Sequence, residues 1–107
     1  MQSIPLGLIT ILTAGTPVGL TLSGAQAALL APGGLCSKVV FSPNPANTGN
    51  VSIKQGGVVL DTLLKPANGV TGRWSTPCTD YNCINPLAFQ LDVATNNDGA
   101  YVTLWVL

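Results

Sequence analysis

The sequence predicts an all-β protein, an antiparallel β-sandwich of jelly-roll-like form with about seven or eight short strands and an extended apolar N-terminal segment. The 12 glycines and 8 prolines recur along the 107 residues and cut the chain into pieces of strand length. Within several of these pieces apolar and polar residues alternate, as they do in strands with one buried face. Because two packed sheets hide the apolar faces of antiparallel strands, we prefer a sandwich to a small barrel.

Residues 1–35 are expected to form N-terminal strands and a connector that pack with the rest of a single domain. Residues 4–13 are apolar on both alternating faces, so a strand here would need cover on both sides. Residues 18–22 alternate and predict a strand with one buried face. Residues 25–30 predict a connector with at most a short helix, because the sequence Pro-Gly-Gly follows it.

Residues 36–107 are expected to form the core of the sandwich. A strand is predicted over residues 37–42 and is followed by a wide turn rich in Asn, Pro and Gly. The clearest local hairpin joins the alternating residues 51–54 to residues 58–64. Its two central glycines, Gly56 and Gly57, supply the positive φ angles that a two-residue turn requires.

The remaining segments complete the predicted strand set. Residues 70–75 predict a short strand, and residues 76–86 predict a polar loop that contains two cysteines. Residues 89–93 alternate, residues 96–99 have the Asn-Asn-Asp-Gly composition of a turn, and residues 100–107 predict the last strand. We therefore expect a second hairpin at the end of the sequence.

Charged residues are scarce in this chain, and their scarcity argues against a nucleic-acid partner. Only 7% of the residues are charged, against about 25% in an ordinary soluble domain, while 47% are hydrophobic and the formal net charge is +0. The four cations, Lys38, Lys54, Lys65 and Arg73, are scattered along the sequence, which argues against a nucleic-acid partner. The surface is therefore expected to be uncharged or covered by another protein subunit.

The apolar N-terminal region has two alternative interpretations, a membrane-spanning segment and a targeting segment. A spanning helix needs about 20 consecutive apolar residues, and no such run occurs, so no membrane partner is expected. Residues 6–12 and the Ala-Gln-Ala at 25–27 are similar to a signal peptide and its cleavage site. Since no Lys or Arg precedes them, retention of the N-terminus is the preferred interpretation.

The residue inventory predicts a protein that is not an enzyme and holds no cofactor. The chain has no His, and its acids, Asp61, Asp80, Asp92 and Asp98, show no paired catalytic spacing. No Ser/His/Asp or Cys/His set and no phosphate-binding glycine loop can be assembled. We therefore expect no catalytic, cofactor-binding or metal-binding residues.

Three cysteines leave two interpretations open. Cys36, Cys78 and Cys83 are too few for a four-cysteine zinc site. Cys78 and Cys83 could close a disulfide across their loop. A cytoplasmic assembly pathway would instead keep all three as reduced thiols, which we slightly prefer.

The remaining candidates for function are apolar residues at the two ends of the sequence, which could contact another protein. In the last strand Val102, Leu104 and Val106 point one way, and Tyr101, Trp105 and Leu107 point the other. Tyr and Trp are enriched at protein interfaces, and an apolar terminal strand can pair with a neighbouring subunit. The predicted interface residues are Ile4, Leu6, Leu8, Ile9, Ile11, Tyr101, Trp105 and Leu107.

Two stretches of the sequence resemble a known class of protein. Residues 38–58 read Lys-Val-Val-Phe-Ser-Pro-Asn-Pro-Ala-Asn-Thr-Gly-Asn-Val-Ser-Ile-Lys-Gln-Gly-Gly-Val, and residues 96–106 read Asn-Asn-Asp-Gly-Ala-Tyr-Val-Thr-Leu-Trp-Val. Together they resemble small virion proteins of tailed bacteriophages, of the capsid cement or decoration type. The resemblance implies a homo-oligomer, a trimer above all, that contacts the major capsid protein or other virion subunits. It would be assembled in the host cytoplasm and located on the capsid surface.

Two alternatives stay open at this point. Within the structural class, a head–tail connector, tail or baseplate component would share the same features. From another class, a secreted carbohydrate- or receptor-binding β-sandwich could use Trp74, Tyr81 and Asn82 as a stacking and hydrogen-bonding site.

Overall fold

The computed structural model describes residues 1–66, 72–76 and 80–107 and is mostly strand. The strands in these ranges are β1 Gln2–Thr10, β2 Val18–Gly19, β3 Lys38–Pro43, β4 Val51–Gln55, β5 Val58–Leu63, β6 Trp74–Ser75, β7 Phe89–Val93 and β8 Gly99–Val106. A short helix, α1 Gly24–Ala28, and one 3₁₀ turn, Pro86–Ala88, accompany them. The predicted all-β class is confirmed.

The strands form two antiparallel four-stranded sheets that pack together as a sandwich. The first sheet has the order β1-β8-β3-β6 and the second has the order β2-β7-β4-β5. The first strand thus pairs with the last, the second with the seventh, the third with the sixth and the fourth with the fifth. This nested pairing is a long antiparallel ribbon rolled on itself, and it confirms the jelly-roll form.

The core lies between the two sheets and follows from strict alternation in the central strands. Burial alternates along β3, β4 and β7 and along most of β8. Phe41 of β3 packs against Phe89 of β7 with ring centroids 5.7 Å apart, so this aromatic contact joins the two sheets. The same core takes Ile4, Ile11 and Leu20 from the N-terminal third of the chain.

A β-bulge explains why β1 is apolar on both faces in the sequence. The register between β1 and β8 shifts between Pro5 and Gly7, so Leu6 is an extra residue, and Gly7 has a φ of 78°. Because of this shift, even-numbered Ile4 faces the core before the bulge and odd-numbered Ile11 faces it after the bulge. Within the chain itself one face of the segment is therefore covered, and cover of the other face, where Leu8 lies, stays a prediction.

The β2 strand is shorter than predicted because the chain turns into α1. Ser23 caps this helix: its Oγ accepts from the Gln26 N–H at 3.1 Å, and the Gln26 Oε1 accepts from the Ser23 N–H at 2.8 Å. This capping box ends the extended segment three residues after Leu20. The predicted connector over residues 25–30 is confirmed as a short helix.

The two predicted hairpins had different outcomes. The β4–β5 hairpin is confirmed, and Gly56 and Gly57 both have positive φ angles, 58° and 81°. The predicted hairpin of residues 89–107 was wrong, because β7 and β8 lie in different sheets. The turn between them carries the chain across the sandwich, and β8 pairs with β1 and β3 instead. Of the predicted strand over 70–75, residues 70 and 71 lie outside the described residues.

Two buried polar side chains hold that crossing turn to the loop after β3. The Asp98 carboxylate accepts from the N–H groups of Thr48, at 3.1 Å, and Gly49, at 2.8 Å. The Asn47 amide donates to the Gly99 carbonyl at 2.8 Å and accepts from the Gly99 N–H at 2.9 Å. These two side chains thereby provide hydrogen-bond partners for backbone groups of Thr48, Gly49 and Gly99.

We expect Asp98→Ala to lower the free energy of unfolding by about 2 kcal/mol, because it removes a buried carboxylate and leaves the part-buried N–H groups of Thr48 and Gly49 without their acceptor. Asp61→Ala removes an exposed carboxylate and should change the stability by no more than about 0.5 kcal/mol. Urea unfolding followed by tryptophan fluorescence measures both. Equal stabilities of the two variants would contradict this role of Asp98.

Candidate interaction surfaces

The first sheet presents an outward surface in three cross-strand rows, which we call the outer face. Leu8 is opposite Tyr101, which is opposite Ser42. The other two rows of the outer face are Pro5, Thr103 and Val40, and Ser3, Trp105 and Lys38. Adjacent rows are one pleat apart, so these side chains share one side of the sheet.

The predicted interface residues divide between the core and the outer face. Ile4 and Ile11 are 1% and 0% exposed, so they are core residues and their prediction as interface residues was wrong. The cause is the bulge in β1, which turns both side chains inward. Leu6 and Ile9 are half-buried and pack against the core.

The other predicted interface residues are accessible. Leu8 and Tyr101 are 42% and 46% exposed and lie directly opposite each other. Trp105 is half-buried on the same face, and Leu107 is exposed beyond the end of β8. The structure therefore brings two chain segments, distant in sequence, onto one surface. Their role as an interface stays a prediction.

The residues considered for carbohydrate binding have structural partners. Trp74 packs against Phe41 and Phe89, with ring centroids 5.8 Å and 6.4 Å away. Asn82 accepts from the Leu107 N–H at 2.9 Å and donates to the Leu107 carbonyl at 3.3 Å. Tyr81 is exposed. A role of these three residues in carbohydrate binding stays a prediction.

A second apolar surface was missed by the sequence reasoning. Val58, Val59 and Leu60 on β5, and Leu64 just after it, are all exposed, with Val58 at 63%. The signal was present in the sequence as a run of apolar residues without alternation. The hairpin prediction treats such a run as an ordinary returning strand.

The edges of both sheets are protected against open-ended pairing. The edge strands are β1 and β6 in the first sheet and β2 and β5 in the second. β2 and β6 are two residues long, and β1 carries Pro5 and a bulge. β5 has a register shift of its own, opposite Ile53 and Lys54. Short and bulged edges disfavour strand-by-strand aggregation, so the outer face is the better candidate for a specific contact.

The outer face also contains a shallow groove of about 340 Å³. Its lining residues are Met1, Lys38, Val40, Ser42, Arg73, Thr103 and Trp105. The described ranges include every Lys, Arg and Asp of the chain, and within them Lys54 and Asp92 form the one ion pair, at 3.4 Å. Lys38 and Arg73 thus line the groove without an ion pair.

Of the three cysteines, the structure describes Cys36 and Cys83. Cys36 is buried, and its backbone pairs with that of Ile84 through hydrogen bonds of 2.8 and 2.9 Å. Burial raises the pKa of the Cys36 thiol, so the reactive thiolate is suppressed. Cys83 is exposed. Cys78 lies outside the described residues, so the predicted Cys78–Cys83 disulfide stays a prediction.

Within the described ranges, no group of three or more Cys, Asp, Glu or His side chains could hold a metal ion. The helices in those ranges are too short to span a membrane. Comparison with known proteins found no matching family model, no matching curated protein and no matching solved structure.

Proposed function

We propose that this chain is a non-enzymatic structural subunit of a larger assembly, and specifically a capsid cement or decoration protein of a virion. The observation that carries the proposal is the outer face. Leu8, Tyr101 and Trp105 stand on a rigid sheet, and the charge of the whole chain is low. Exposed apolar and aromatic side chains on a fixed scaffold favour a protein contact.

The choice of a virion rests on the resemblance in residues 38–58 and 96–106. Jelly rolls are common in viral capsids, and they also occur in lectins and cupins, so the fold alone does not select a function. A head–tail connector, tail or baseplate position is the alternative within the same class. The resemblance also favours contacts between copies, for which the exposed aliphatic side chains of β5 are candidates.

Such a subunit would stabilise its shell by mass action. A protein that binds the assembled shell but not its free subunits adds its binding free energy to the assembled state, once for every site occupied. Contacts that are mostly apolar lose little strength in salt, because screening weakens ion pairs and leaves burial of apolar surface intact. Contacts that tolerate salt suit a particle that meets different salt concentrations.

The proposal is tested with particles purified from the source of the protein. The full-length chain, labelled with a fluorophore, should sediment with the particles in a saturable manner. Leu8→Asp places a carboxylate in the outer face and should weaken this binding about tenfold or more. Leu12→Asp makes the same change at an exposed leucine outside the outer face and should bind as the unchanged chain does.

Two results would contradict the proposal. One is a chain that is absent from every particle fraction and does not sediment with particles. The other is equal loss of binding in Leu8→Asp and Leu12→Asp, which would remove the outer face from the contact. Gold-labelled antibody on intact particles separates a shell position from a connector, tail or baseplate position.

A further inference from the structure

We propose that the groove of the outer face binds an extended acidic segment of the partner protein, with two carboxylates spaced to meet Lys38 and Arg73. This inference rests on the proposed function, because it names the partner chemistry that the outer face would take. It adds a specific recognition element to a surface that is otherwise apolar. The supporting observations are the charge of the groove, its dimensions and its central lining.

The charge of the groove is positive in a chain whose net charge is +0. Lys38 and Arg73 are half of its four cations, and none of the described residues that line the groove is acidic. Asp92 is paired with Lys54, and Asp98 is bound to backbone N–H groups in the core. Carboxylates from a partner would therefore complement the groove without displacing any internal ion pair.

The strand positions of the two cationic residues set the length of the segment. Lys38 is at one end of the groove, opposite Trp105. Arg73 directly precedes β6, and because Trp74 is paired with Phe41, continuing the same register places Arg73 beside Ser42 at the other end. Residues 38 and 42 of one strand are about 13 Å apart, and two residues of an extended peptide in positions i and i+4 have the same separation.

The middle of the groove favours an uncharged residue between the two acids. Val40 and Thr103 are opposite each other there, with the Trp105 ring beside them on the outer face. These side chains offer apolar contact and one hydroxyl, and no cation. A nucleic-acid strand would need a cation at each successive phosphate, and this groove has cations at its ends alone.

The test uses the peptide acetyl-Gly-Glu-Thr-Leu-Thr-Glu-Gly-amide and a matched peptide with both Glu replaced by Gln. Each is titrated into the full-length, isotope-labelled protein while the Trp105 indole and backbone resonances are followed by NMR. We expect the acidic peptide to shift the Trp105, Val40 and Thr103 resonances and the neutral peptide to leave them nearly unchanged. The shifts should weaken in high salt.

The double variant Lys38→Gln/Arg73→Gln should raise the peptide Kd about tenfold, whereas Lys65→Gln, which changes a cation outside the groove, should not. Absence of shifts with the acidic peptide at low salt would overturn the inference, as would equal shifts with the neutral one. Larger shifts of the same resonances by oligothymidylate would also overturn it, by assigning the groove to nucleic acid. Particle binding that survives in the double variant but not in Leu8→Asp would refute the acidic segment and leave the proposed function standing.

Discussion

Leu104→Ala is expected to lower the free energy of unfolding by about 3 kcal/mol, because the side chain is fully buried and its removal leaves a cavity in a packed core. Leu104 is 0% exposed and lies in the middle of the first sheet, between Ile4 of β1 and Val39 of β3. All three side chains lose contacts when it is shortened. Urea unfolding followed by circular dichroism measures the change.

Leu12→Ala is the matched control for this variant. It removes the same atoms from a leucine that is 69% exposed, so its stability should stay within about 0.5 kcal/mol of the unchanged protein. A protein of this size has about 5 to 15 kcal/mol of total stability, so the Leu104 variant should still fold. Similar losses at Leu104 and Leu12 would contradict the assigned core.

Gly99→Ala is also expected to lower the free energy of unfolding by about 3 kcal/mol. Here the cause is crowding, whereas in Leu104→Ala it is a cavity. A Cβ at this position would collide with the carbonyl oxygen of Ile9 and would lie 3.1 Å from the Cα of Thr10. Both obstacles are backbone atoms of β1, so the collision is relieved only by moving one strand from the other. The Gly99 carbonyl would also be displaced from the Asn47 amide that donates to it.

Gly19→Ala provides the comparison, because Gly19 is also in a strand and a Cβ there meets nothing within 4 Å. Its melting temperature should be unchanged, while that of Gly99→Ala should fall by about 10 °C or more. Thermal unfolding at the same protein concentration gives both values. If the two variants melted together, β1 and β8 could not approach as closely at Gly99 as described.

The strands that could be predicted are those whose cause is local. Alternation in β4 and β7 and the two glycines between β4 and β5 determine strand and turn within a few residues. The two-sheet sandwich followed from strand number and the need to bury one face of each sheet. None of these arguments requires knowledge of which distant strand is the partner.

The features that escaped prediction depend on distant partners. The bulge in β1 is a relation between Gly7 and the register of β8, and it alone decides that Ile4 and Ile11 face inward. The turn at Asp98 has the composition of a hairpin, but its carboxylate bonds to a loop 49 and 50 residues away and the chain changes sheets. The groove exists because β3 has β8 on one side and β6 on the other.

The position of β8 bears on how the protein is made. This strand is the last in the described order, yet it lies between β1 and β3 in the first sheet, so β1 has no sheet partner before β8 appears. During synthesis the apolar β1 segment therefore stays unpaired while the residues between β1 and β8 are produced. Nested pairing of this kind makes folding slow and leaves an early strand exposed to aggregation. A ribosome stalled before β8 emerges should therefore carry a nascent chain that is protease-sensitive along β1.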